Sequence, residues 1–256
     1  VKSGFIISWI EKKCNMKLDE KKKQTAYRII IYSAGLIILA LGITLNTKCG
    51  LGVSPIISVA YSVSVITNIS IGNTTLIWYS VFVLIEVIIH GIKKYGGKQI
   101  VSDILQVPLS LVFTRFINLF SGCIPQLDTE CKGTVWGTIW MRIIVLLTAI
   151  ILTGIGAAMS LNMRIIPNPG DGIVQTVADC TDKTVGFTKN IWDIFMIILT
   201  CCVSLIFAHH IIGIGIGTLL AMLGVGRVIA IFNHFTMLKM LDKAGLEMNF
   251  LPGDKK

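Results

Sequence analysis

At 256 residues the chain is long enough for one or two soluble domains, but 54% of it is hydrophobic, only 14% is charged, and its mean hydropathy is +0.77. Apolar runs of near-spanning length recur through to Phe235, which excludes an ordinary soluble protein and a lone signal peptide. The net charge of +9 is no nucleic-acid signature, because Lys12, Lys13, Lys17, Lys21, Lys22 and Lys23 crowd before the first apolar run, where lysines set topology.

In chain order, a basic segment (1–26) precedes a long apolar helix expected over about 27–47. A short helix over 54–67 follows, opened by Ser54 and Pro55, then long helices over 75–92 and 99–120. A connecting loop (121–137) contains "SGCIPQLDTECKG", which is net negative. The second set of helices is expected over 138–161, 168–182, 189–208 and 211–236, with a basic tail over 237–256. Asn168 and Pro169 open its short helix as Ser54 and Pro55 open the first. Each pair suits a helix start, with a capping side chain and a proline where no N–H is needed. The short segment "PNPGDGIVQTVADCTDK" is too polar and too brief to cross lipid, so a re-entrant half helix buried by protein is expected.

The two sets are copies. At a fixed offset of 114 residues, Arg28–Trp78 and Arg142–Trp192 align without a gap and share twelve identities. Among them are Arg28 with Arg142, Gly42 with Gly156, Pro55 with Pro169, Gly72 with Gly186 and Trp78 with Trp192. The last helices match less cleanly, pairing Arg115 with Arg227 only after a two-residue shift. Charge decides the handedness of the repeat. With a cytoplasmic N-terminus, four passes per half would place three basic residues inside and five outside, whereas three passes place six inside (Lys93, Lys94, Lys98, Arg164, Lys183, Lys189) and two outside (Lys48, Lys132). The inverted arrangement is therefore expected, with 27–120 and 138–236 as the two membrane repeats and Lys239, Lys243, Lys255 and Lys256 in a cytoplasmic tail.

Candidate site residues cluster at the half-helix starts. Free N–H groups and the positive dipole end there favour an anionic or acceptor group, so Ser54, Pro55, Asn168, Pro169, Gly170, Asp171, Gln175 and Gln106 are expected around a central cavity. Asp171 holds the N3 position after Asn168, where it either completes a capping box or faces the cavity as a coupling group. Arg227 lies deep in its helix, where it either snorkels or meets substrate or a buried carboxylate such as Glu86 or Asp193. Glu86 and Asp193 are themselves coupling candidates. The seven cysteines form no CxxC pair, adjacent His209 and His210 point apart on a helix, and "GIGIGT" has neither a preceding strand nor a following lysine. No metal, cofactor or enzymatic activity is expected.

The motifs "LGITLNTKCGLGVSP", "ISIGNTTLIWYSVFVLIE" and "IGIGIGTLLAMLGVGRVI" together resemble those of the YczE/YitT-type bacterial integral membrane proteins, over roughly residues 27–236. The resemblance implies a multi-pass protein of the bacterial cytoplasmic membrane and brings no substrate or catalytic residue. The whole reading is an all-α membrane protein of about six transmembrane helices plus two short Pro-initiated half helices, in an inverted repeat. Its expected role is secondary transport of a small polar or anionic solute by alternating access. The alternative is a non-transporting receptor or a substrate-capture or assembly subunit. Partners would be the lipid bilayer, an unknown small solute and a homo-oligomer or membrane complex, with no nucleic acid.

Overall fold

Two long helices, one from each half, lie side by side at the centre. The computed structural model describes the backbone of residues 2–246 and the side chains of residues 20–246; Lys12, Lys13, Cys14 and Lys17 as side chains, and Lys255 and Lys256, lie outside that description. Helix α1 (Lys2–Lys48) packs along α5 (Ile139–Asn162). Their direction is fixed by two arginines that occupy equivalent repeat positions. Arg28, near the start of the apolar part of α1, donates from Nε and Nη2 to the Met163 carbonyl (3.2 and 2.9 Å) just past the end of α5. Arg142, in the first turn of α5, donates to the carbonyls of Cys49 (2.7 Å) and Gly50 (2.6 Å) just past the end of α1. The two helices are antiparallel, and the clamps exchange under the repeat offset, since Cys49 and Gly50 correspond to Met163 and Arg164.

The contact between them depends on glycine. A Cβ on Gly156 would stand 2.7 Å from the Gly35 carbonyl oxygen, and one on Gly42 would stand 2.6 Å from the Thr153 nitrogen. Such backbone approach is how helices associate in lipid, where apolar burial supplies little driving force. The repeat is thus related by a pseudo-two-fold that turns one half upside down.

The remaining helices are α2 (Pro55–Thr67), α3 (Ile71–Ile92), α4 (Gly97–Cys123), α6 (Pro169–Thr181), α7 (Val185–Ala208) and α8 (Ile216–Ala244). Among the described residues, six helices are long and apolar enough to span a membrane: Glu20–Lys48 of α1, and α3, α4, α5, α7 and α8. Helices α2 and α6, at 13 residues each, reach only about 20 Å at 1.5 Å per residue. Each runs beside the later half of a long helix from the other repeat. Ser58 and Ser62 of α2 bond Thr200 (2.6 Å) and Ser204 (2.8 Å) of α7, so Pro55 sits near the middle of α7. Likewise Thr176 of α6 meets His90 of α3 (3.4 Å), with Gly172 against Glu86. Both short helices start at half height and return to the end from which the chain entered. Matching left-handed residues, Asn68 (φ 56°) and Asp182 (φ 52°), close them.

One end of the bundle is basic. Lys93 Nζ, after α3, donates to the Cys180 carbonyl at the end of α6 (2.9 Å), and Arg28 and Arg164 lie at the same end. The acidic loop caps the other end, where the Leu127 N–H donates to the Lys48 carbonyl (3.0 Å).

Several helix boundaries differ from the sequence reading: α3 and α7 each start four residues earlier, at Ile71 and Val185. Helix α1 continues back through the basic segment to Lys2, and α8 continues to Ala244, where Gly245 (φ +64°) stops it. Met240, Leu241 and Ala244 are buried, so part of the expected tail belongs to the packed bundle. Helix α8 also starts five residues later than expected, because residues 209–215 take irregular backbone, with Gly213 at φ +78°. The halves are equivalent up to this helix only: α4 packs along α3, whereas α8 barely meets α7.

Candidate functional site

The two half-helix starts meet at the pseudo-two-fold. Ile56 and Gly170 are equivalent positions, and a Cβ on Gly170 would lie 2.9 Å from Ile56 Cγ1 and 3.4 Å from Tyr79 Oη. A cavity of about 550 Å³ opens there, lined at its head by Ser54, Ile56, Asn168, Gly170, Asp171 and Tyr79. From the centre it runs to the basic end between α6, α7 and α8, past Arg164, Lys189, Asn233 and Met237.

Ser54 and Asn168 hold the extended backbone of an N-cap, with Pro55 and Pro169 following as the first helical residues, but neither side chain caps. The Ser54 N–H donates to Asn46 Oδ1 on α1, and Asn168 Nδ2 donates to Tyr79 Oη on α3 (3.3 Å). The Asn168 side chain is thus drawn away from its own helix by a neighbour on another helix, which a local motif cannot show. The Asn168 carbonyl instead accepts from the N–H groups of Asp171 and Gly172 (both 2.8 Å). The capping box expected at Asp171 is not formed, and its half-buried carboxylate lines the cavity.

A second cavity of about 560 Å³ adjoins the first, sharing Gln99, Pro167, Gln175 and Asp179 in its walls. Gln106 faces this one, not the first, and donates from Nε2 to Glu86 Oε2 (2.8 Å). Gln175 belongs to both walls and donates to Asp179 Oδ1 (3.1 Å). His90 and Asp103 form a buried pair, Nδ1 to Oδ2 2.6 Å, beneath the Tyr95 ring. Asp193 is wholly buried and pairs with Lys189 one turn before it (3.0 Å).

Arg227 departs from expectation. It is exposed on the outer face of α8, donates to the Leu223 carbonyl of its own helix (2.9 Å), and reaches neither Glu86 nor Asp193. The adjacent Val225 and Gly226 line the cavity in its place. At 100° per residue, the face that holds Val225 inward turns Arg227 outward. Tyr79, Asn46, His90 and Asp103 were missed. Only His90 left a local signal, four residues after Glu86 on one helical face. Among the described residues, no group of three or more His, Cys, Asp or Glu side chains is placed to hold a metal ion.

Residues 26–234 match the model of a protein family of unknown function, DUF6198. The chain belongs to that family. It is also similar to the uncharacterized protein YyaS of Bacillus subtilis (strain 168), at 22% identity over 216 residues that cover 80% of this chain and 92% of that protein. No solved structure matches. The matched region contains α1 to α8 in whole or in part, both half helices, the wall of the second cavity and, except for Met237 and Leu241, that of the first.

Proposed function

We propose that this protein is a secondary transporter of the bacterial cytoplasmic membrane, carrying a small polar or anionic solute by alternating access with both termini in the cytoplasm. The observation that carries this reading is the mismatch between the repeats. Two inverted copies share one fold, yet α4 lies along α3 while α8 stands off α7, and the central cavity opens through that gap. In an inverted pair, exchanging the two arrangements would close the gap at the basic end and open its equivalent at the other. The resemblance to YczE/YitT-type proteins agrees with a multi-pass membrane protein and bears on no particular solute or activity.

The cavity chemistry fits the solute class. The half-helix starts aim their positive dipole ends at the cavity, while Asn168, Tyr79, Asp171 and Lys189 add donors, an acceptor and charge. Screening metabolites by thermal shift on detergent-purified protein, then following uptake of a hit into proteoliposomes, tests the reading. A stabilising polar or anionic solute that is also taken up supports it. Binding without flux selects the second reading, a capture or assembly subunit, which the exposed Arg227 midway along α8 favours because a helix of another protein would shelter that charge better than lipid.

A further inference from the structure

The half helices meet their long neighbours through equivalent positions of unlike chemistry. On the α2–α7 side, hydroxyl pairs join Ser58 to Thr200 and Ser62 to Ser204. At the repeat offset those positions become Gly172 with Glu86, and Thr176 with His90. One half thus carries a carboxyl group and an imidazole where the other carries only hydroxyls.

Glu86 is 1% exposed and Gln106 is fully buried. Besides the bond between them, Glu86 Oε1 and Gln106 Oε1 each lack a partner, and both lie 3.0 Å from the place a Cβ on Gly172 would take. Both residues line the 560 Å³ cavity. Two buried acceptors turned toward one small space call for a donor. A carboxylate with an amide oxygen beside it supplies none, whereas a carboxylic acid carries its own. A hard metal ion would need about six oxygens, and among the described residues the buried unpartnered oxygens around this cavity are these two.

We propose that Glu86 is a proton-binding site loaded from the adjoining cavity and, resting on the transport reading above, coupled to the position of α8. On loading, a hydronium ion in the cavity gives its proton to Glu86 Oε1, leaving a carboxylic acid and water. On release, that O–H bond breaks and the proton returns to a water. The groups facing this cavity are His90 on α3, Tyr95 on the α3–α4 turn, Asp103 on α4, Asp179 on α6, and Asp182 with Lys183 after it. The His90–Asp103 pair lies one helical turn from Glu86 toward the basic end, between the carboxyl group and that end of the bundle.

Two measurements on the full-length chain test this. Infrared difference spectra between acid and alkaline buffer should contain a carboxylic-acid C=O band that Glu86→Gln removes and Asp171→Asn retains. With native cysteines replaced, spin labels at Val185→Cys and Met237→Cys, which face the central cavity from α7 and α8, should report a pH-dependent distance that Glu86→Gln renders insensitive to pH. A titrating band unaffected by Glu86→Gln overturns the proton site. A pH-dependent distance that persists in that variant overturns the coupling. Loss of the band together with a distance indifferent to pH in every form upholds the proton site and rejects its link to transport. Should Glu86→Gln fail to fold, Gly172→Ala presses a methyl group on both oxygens and should shift the band, and an unshifted band overturns the site.

Discussion

Asp171 illustrates how a side chain can satisfy a motif and still serve another purpose. Its position after Asn168 and Pro169 reads as a capping box, but Asn168 turns to Tyr79 and the carboxylate remains on the cavity wall. Asp171→Asn should therefore leave the melting temperature of the purified protein unchanged within about 1 kcal/mol of stability, while altering affinity for the solute proposed to occupy the cavity. A clear loss of stability with binding intact would restore the capping role. Arg28 makes the opposite case, because its guanidinium satisfies the carbonyls of Met163 and Arg164 where helix α5 ends. Arg28→Leu should cost roughly 1.5–3 kcal/mol, the range for hydrogen bonds to charged groups, read as a lowered midpoint of thermal unfolding in detergent. Arg142→Leu should cost a similar amount, since it makes the equivalent clamp. What the sequence revealed at this scale was whatever depends on near neighbours, such as the Ser-Pro and Asn-Pro helix starts. Tyr79 and Asn168, 89 positions apart, meet only because α3 and α6 come from different repeats. No local pattern marks that meeting.

At the scale of helices, the bounds read from proline, glycine and apolar runs fall close to those observed, because punctuation by these residues is itself local. Half helix α6 was legible for the same reason, since a proline start, 13 residues and a polar composition cannot make a span, whereas the apolar α2 was read as its counterpart from the repeat and the charge count. Helix α8 was read less well. Its glycine spacing signalled a disturbed start, but whether Gly213 and Gly215 belong to the helix depends on a distant loop: the Val53 N–H donates to the Gly213 carbonyl (2.8 Å), Gly215 packs on the Leu51 and Gly52 backbone, and the Gly217 N–H donates to the Leu51 carbonyl (2.8 Å). The α1–α5 contact yields a direct test of packing. Gly42→Ala and Gly156→Ala each put a methyl group within about 3 Å of the opposing backbone, so each should destabilise the protein by about 1–3 kcal/mol. Gly91→Ala, where nothing lies within 4 Å, is the matched control and should be neutral or slightly stabilising in the same unfolding assay.

For the whole molecule, the antiparallel pairing of α1 with α5 holds whichever way the bundle faces, but function depends on the direction. Lysines and arginines gather at the end where α6 terminates, and the orientation proposed above, which follows the positive-inside rule, turns that end to the cytoplasm. The native cysteines make this measurable. Cys123 is exposed and Cys131 half-buried at the acidic end, Cys180 is half-buried at the basic end, and all three are free thiols. An impermeant thiol reagent applied to intact cells under reducing-agent pretreatment should label Cys123 and Cys131, with Cys180 reacting only once the membrane is opened. Cys123→Ser with Cys131→Ser should abolish the intact-cell signal, which excludes labelling of Cys202, the other exposed thiol among the described residues, through a disturbed membrane. Should Cys180 react first, the bundle sits the other way up: the cavity between α7 and α8 would then face the exterior, and solute would enter from that side.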